Sequence, residues 1–222
     1  MTSKPGERKL QILQTVAQML EQPKSEKITT AALAAHLDIS EAALYRHFAS
    51  KAQMFEGLIE FIEQTVFGLI NQITQEEKSG LQQLKAIISM LLGFAKKNRG
   101  MTRVLIGDAL VNEDERLQQR INQLLDRIEA TLKQSLRMAA TQDEMGSAVD
   151  GKTQDVMVQG VEMPPSFPSR TVSAEDISAH ANVLLCHVIG RWQQFAKSGF
   201  TRDPLQHWSA QETILLGKSD HQ

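Results

Sequence analysis

Residues 28–55 read Ile28-Thr29-Thr30-Ala31-Ala32-Leu33-Ala34-Ala35-His36-Leu37-Asp38-Ile39-Ser40-Glu41-Ala42-Ala43-Leu44-Tyr45-Arg46-His47-Phe48-Ala49-Ser50-Lys51-Ala52-Gln53-Met54-Phe55. The alanine-rich run opens on hydroxyl residues able to accept from the free amides of a first helical turn, and it is too short to be stable alone. Asp38-Ile39-Ser40 interrupts it, and Ser40 can cap a second short helix through Phe48. Leu33, Leu37, Ile39, Leu44 and Phe48 can close a small core. That leaves Ser40, Ala42, Tyr45, Arg46, His47 and Lys51, with the hydroxyls of Thr29 and Thr30, to face outward. These are phosphate donors, base-edge donors or residues small enough for close approach, so the pair reads as a helix-turn-helix whose second helix enters a major groove. A helical hairpin inside a bundle, with Tyr45 and His47 half-buried, is the plainer alternative.

Outward from this stretch the chain is a series of amphipathic helices. Before it, Leu10, Ile12, Leu13, Val16, Ala17, Met19 and Leu20 recur at helical spacing and stop at Pro23. After it, Ser50 and Gln53 form a capping-box pattern that opens one long helix from Met54 toward Lys78. A helix over 81–98 ends in Lys96-Lys97-Asn98-Arg99-Gly100, where the basic residues suit a helix C-terminus and Gly100 suits a left-handed cap. Asn112-Glu113-Asp114-Glu115 reads as the N-cap of a helix with the stripe Leu117, Ile121, Leu124, Leu125, Ile128, Leu132 and Leu136. Residues 141–172 lose periodicity and carry Pro164, Pro165 and Pro168, so a disordered segment is expected there. Ser173 then caps a last long helix through Phe195 to Gly199.

Composition agrees with an all-α fold. Only 5% of the 222 residues are aromatic, with a single Tyr, which disfavours a sandwich or barrel. Cys186, the one cysteine, cannot form an internal disulfide, and the polar start Met1-Thr2-Ser3-Lys4-Pro5-Gly6 lacks a signal peptide's apolar stretch; a cytoplasmic setting without a membrane is expected. The net charge of -2 disfavours a nucleic-acid partner only at first sight. Residues 1–57 hold seven Lys/Arg against six acids and the remainder seventeen against twenty, so charge decides nothing. No phosphate loop, nucleophile elbow or paired-carboxylate motif is present, and His180 and His187 are spaced wrongly for a chelating pair. Neither an enzyme, a metal site nor a cofactor is expected.

The core Leu44-Tyr45-x-His47-Phe48-x-x-Lys51 within residues 28–55 resembles the DNA-binding signature of the tetracycline-repressor family. That resemblance implies a homodimer of all-helical subunits, each with a three-helix DNA-binding head (residues 1–50) and a helical body (residues 51–222) that dimerises through its last helices. Leu58-Ile59-Glu60-Phe61-Ile62-Glu63, Leu91-Leu92-Gly93-Phe94, Leu117-Gln118-x-Arg120-Ile121-Asn122-Gln123-Leu124 and Arg127-Ile128-Glu129-Ala130 are similar to the family's nucleoid occlusion branch. The branch implies binding to pseudo-palindromic double-stranded DNA across the chromosome, and inhibition of division-ring assembly by engaging the C-terminal tail of the tubulin-like division GTPase. It further implies a groove between the fourth and fifth helices, with Phe61, Gly93, Lys97 and Asn98 as contacts. Where the branch tends to carry a basic residue on the exposed side of the fourth helix, this chain has Leu69, which weakens the electrostatic half of that groove; simple burial in the body core is the alternative. The alternative function is a ligand-responsive transcriptional repressor with a small-molecule pocket in the body.

Overall fold

The computed structural model describes residues 5–22, 28–150 and 173–216. All regular elements among them are helical: α1 (Pro5–Leu20), α2 (Thr30–His36), α3 (Glu41–Tyr45), α4 (Lys51–Glu76), α5 (Gly80–Lys97), α6 (Arg99–Leu105), a 3-10 turn at Asp108–Leu110, α7 (Glu115–Asp150), α8 (Ala174–Lys197) and α9 (Trp208–Leu216). None is long and apolar enough to cross a membrane.

The head is built by its caps. Thr29 accepts from the Ala32 amide, Ser40 from Ala43 and Ser50 from Gln53, each satisfying a donor that a helix start leaves without a partner. Gln53 reciprocates one residue early, accepting from the Ala49 amide at 2.8 Å. Between α2 and α3, Asp38 takes a left-handed φ of 53°. Its amide donates to Ala35 and that of Ile39 to Ala34, the paired bonds of a Schellman turn, with aspartate where glycine is usual. The turn directs Ile39 and Leu44 back toward Leu33, closing the small core expected from spacing.

One buried cluster then runs without a break from Ile12 and Val16 in α1, through the fully buried Leu58, Ile59 and Ile62 of α4 and Ile87, Leu91 and Leu92 of α5, to Leu124 and Leu132 in α7 and Trp192 in α8. Buried polar ties cross it: the Trp192 indole donates to the Leu91 carbonyl at 3.1 Å, Ser135 donates to Gln83 at 2.9 Å, and Thr102 donates to the Ala95 carbonyl at 3.1 Å. Each satisfies a group that would otherwise be stranded in apolar surroundings.

Four features differ from the sequence expectation. Gly100 is not a cap: α5 ends at Lys97, Asn98 joins the two helices, and Gly100 lies buried inside α6. A Cβ there would sit 1.8 Å from the Ala17 carbonyl oxygen, so the glycine is required by the close approach of α1 to α6. The cap of α7 is Asp114, whose carboxylate accepts from the Arg116 amide, whereas Asn112 sits in a left-handed turn at φ 65°. Helix α7 continues to Asp150, where a segment without periodicity was expected from 141; the remainder of that segment, 151–172, lies outside the described residues. Helix α9, beyond the long α8, carries too little amphipathic pattern to be read from spacing.

Candidate functional site

On the head, Ala42, Tyr45 and Arg46 are exposed on α3 and its C-cap, with Tyr45 at 45% exposure. His47 is half-buried in the following turn. The three hydroxyls have structural work as well. Thr29 and Ser40 cap helices, and Thr30 donates to the Glu41 carboxylate at 2.6 Å, tying α2 to α3. Lys51 lies at the start of α4 with its ammonium paired to Glu113 and 5.7 Å from the Phe55 ring centre. It therefore ties the start of α4, just after the head, to the turn before α7, a partner that spacing gave no sign of.

On the body, α4 presents two different faces. Toward α7 it forms a charged seam. Arg120 grips Glu63 through two parallel hydrogen bonds of 3.1 and 2.7 Å and donates to the Glu56 carbonyl at 3.3 Å. The hydrogen bonds it donates to Glu63 hold the guanidinium pKa above its ordinary value. Arg127 stacks on Phe67 with its guanidinium 3.8 Å from the ring centre. Arg116 reaches Glu56 at 3.6 Å and also holds Asp114, whose carboxyl is kept below its usual range by that hydrogen bond.

Toward α5 the same helix borders a groove of about 720 Å³ open to solvent. Phe61, Thr65 and Leu69 recur every four residues along its α4 wall. Met90, Gly93 and Lys97 share the α5 wall, with Asn98 at the end. All four contacts expected from the resemblance, Phe61, Gly93, Lys97 and Asn98, thus border one cavity. Gly93 has nothing within 4 Å of where a Cβ would stand, so its missing side chain is open groove space. Lys97 is exposed and makes no ion pair among the described residues, unlike its neighbour Lys96, which binds Asp203 at 2.6 Å. Asn98 donates to the Phe94 carbonyl at 2.8 Å, fixing its amide at the helix end. Leu69 is not buried in the core: it is 37% exposed and lines the groove without a charge.

Leu205 also lines the groove, from the turn after α8. No spacing rule could place it there, because its position depends on a turn outside any helix. The two histidines do not converge: His180 meets the Leu215 carbonyl at 2.7 Å, and His187 packs against Trp208, where burial lowers its pKa.

An all-helical chain with a helix-turn-helix head on a bundle body is the architecture of tetR-type DNA-binding regulators, and residues 13–58 match the family of bacterial regulatory proteins of the tetR type. Residues 78–162 match the SlmA-like form of the tetracyclin repressor-like C-terminal domain. The nucleoid occlusion factor SlmA of Alteromonas mediterranea is 44% identical over 94% of this chain and 93% of its own length. That of Idiomarina loihiensis is 42% identical over 97% and 96%. The chain belongs to the SlmA family of nucleoid occlusion factors, within the tetR family. Among solved structures, a tetR-family regulator from Agrobacterium tumefaciens superposes with a TM-score of 0.68 at 15% identity, covering 96% of this chain and 97% of that one. AibR in complex with isovaleryl coenzyme A and operator DNA superposes with 0.67 at 15% identity, covering 96% and 100%. Likenesses this distant speak for the fold alone.

Proposed function

We propose that this protein is a sequence-specific DNA-binding nucleoid occlusion factor. A homodimer places two α3 helices in successive major grooves of a pseudo-palindromic site, about 34 Å apart. Tyr45, Arg46 and Ala42 meet the DNA directly, His47 and the hydroxyls of Thr29, Thr30 and Ser40 sit at the phosphate margin, and Lys51 adds a phosphate contact when it leaves Glu113. Exposed Val183 and Cys186 on α8 supply apolar surface for pairing with a second copy. Held on the nucleoid in the cytoplasm, the dimer captures the C-terminal tail of the tubulin-like division GTPase and prevents ring assembly over the chromosome.

The observation that carries this reading is the groove. Phe61 and Gly93, from different helices, open an apolar floor, and Lys97 at the end of α5 is an exposed cation with no ion pair among the described residues. An extended peptide with apolar residues and a carboxylate matches that arrangement, with its backbone close to Gly93 and its acid at Lys97.

The test combines the protein, a chromosomal DNA site and the purified GTPase, and measures pelleted polymer. The wild type is expected to reduce it and Phe61→Ala to leave it unchanged. Absence of tail binding by the wild type, with or without DNA, ends the reading. A genome-wide map of bound sites separates it from a local repressor: many scattered sites sparse near the replication terminus are expected, and a single site beside its own promoter would overturn it.

A further inference from the structure

The groove has a third wall that belongs to neither α4 nor α5, and its residues are held in place with unusual thoroughness. Helix α8 ends in a second Schellman turn: the Gly199 amide donates to Ala196 and the Phe200 amide to Phe195, with Gly199 and Phe200 both at positive φ. Positive φ is costly for a phenylalanine. Its ring is retained edge-on to Phe195, with centres 5.1 Å apart, and beneath the guanidiniums of Arg99 and Arg103 at 5.8 and 5.6 Å.

Beyond it, Arg191 of α8 reaches across and donates to three successive parts of the turn: the carbonyls of Asp203 at 2.7 Å, Pro204 at 3.0 Å and Gln206 at 3.1 Å. Its remaining nitrogen donates to Gln194 at 3.2 Å. Asp203 accepts from the Leu205 amide at 2.9 Å through one carboxylate oxygen and from Lys96 at 2.6 Å through the other, and the Lys96 bond holds its carboxyl below the usual range. Pro204 is buried. Leu205 is the residue this scaffold presents to the cavity, beside the last turn of α5 and so at the end where Lys97 stands.

A planar guanidinium that satisfies three backbone acceptors at once fixes a turn far better than a surface ion pair does. We propose that the turn 203–206 is the third wall of the tail-binding groove, with Leu205 as a contact residue and Arg191 as its positioning residue. The inference rests on the reading of this groove as the tail site. It adds a requirement on the partner: an apolar side chain must meet Leu205 beside the last turn of α5, the turn that carries Lys97. It also connects the groove to α8, since the residue that sets the wall is on that helix.

The experiment uses full-length protein, a labelled synthetic peptide of the division GTPase's C-terminal tail, and a DNA site the protein binds. Leu205→Ala is expected to weaken peptide binding about tenfold, in line with the apolar area a contact leucine buries, and to leave DNA affinity near the wild type, with a modest fall in thermal midpoint because Leu205 also packs against the core. Arg191→Gln is expected to weaken the peptide by a similar factor without affecting DNA. In the double variant the loss is expected to match that of Leu205→Ala alone, because Arg191 acts on the peptide through Leu205. Phe61→Ala serves as the reference. If Phe61→Ala binds peptide like the wild type, the groove reading itself fails. If Phe61→Ala loses binding while Leu205→Ala does not, the third wall is wrong and the groove reading stands. If the two turn substitutions add fully, or if Arg191→Gln weakens DNA and peptide alike, Arg191 is not a positioning residue.

Discussion

The two long faces of α4 solve opposite problems with the same helix. Toward α7, Glu56, Glu63 and Phe67 are matched across the seam by Arg116, Arg120 and Arg127. Toward α5, Phe61, Thr65 and Leu69 face a helix that offers Gly93 where a side chain would fill the gap, and the space stays open. The difference teaches that the groove is not a packing defect. On that side the neighbouring helix withholds atoms at Gly93, and the gap stays open to solvent.

The sharpest way to break the comparison is to fill the groove. Gly93→Leu places a side chain in space where even a Cβ meets nothing within 4 Å. It also removes a glycine from a helix interior, which favours folding by about 0.5–1 kcal/mol. The expected outcome is a raised thermal midpoint together with at least a hundredfold loss of tail-peptide affinity, read by calorimetry and peptide anisotropy. A stable variant that still binds the peptide would place the tail elsewhere.

The opposite result is expected on the seam. Glu63→Gln removes the charge that Arg120 grips, and the pair is about a third exposed on the arginine side. A loss of about 1 kcal/mol is expected, a few degrees in thermal midpoint for a chain of this size, with peptide affinity unchanged. Peptide affinity falling in step with stability would mean that seam and groove are one cooperative unit.

How far each face could be read from sequence follows from what each depends on. The helix-turn-helix was legible because caps act locally: Thr29, Ser40 and Ser50 each bond an amide three residues on, as their spacing predicts. The apolar stripes were legible because burial follows helical period. Phe61, Gly93, Lys97 and Asn98 could be named only through family resemblance, since nothing local brings residues 61 and 93 together. Gly100 was misread because a glycine after a basic run has two uses, and only the approach of α1, far away in sequence, decides between them. Leu205 and Arg191 were invisible for the same reason: a turn held by side chain to backbone bonds leaves no periodic trace.

The seam also reaches the start of α4, just after the head, where Glu113 holds Lys51. If Lys51 is a phosphate contact, Glu113 competes with DNA for it. Glu113→Gln is then expected to tighten DNA binding about two- to threefold at low salt, less at high salt, with Lys51→Gln giving the reverse. Equal DNA affinity for both variants across salt concentrations would confine Lys51 to the seam.

The smallest effect tests the groove's remaining asymmetry. Its cation stands at one end only, with Lys97 near Asn98, while Leu69 lines the α4 wall without charge. An acidic tail is therefore held electrostatically at one point and by apolar contact elsewhere. Leu69→Lys adds a second cation on an exposed position, with no core to disturb, since the leucine is 37% exposed. Exposed charges gain little through water, so a two- to threefold tighter peptide affinity, about 0.5 kcal/mol, is expected in low salt, vanishing as the screening length shortens. Weaker binding at every salt concentration would instead show that the peptide lays an apolar side chain on Leu69, and that this wall belongs to the groove's apolar floor.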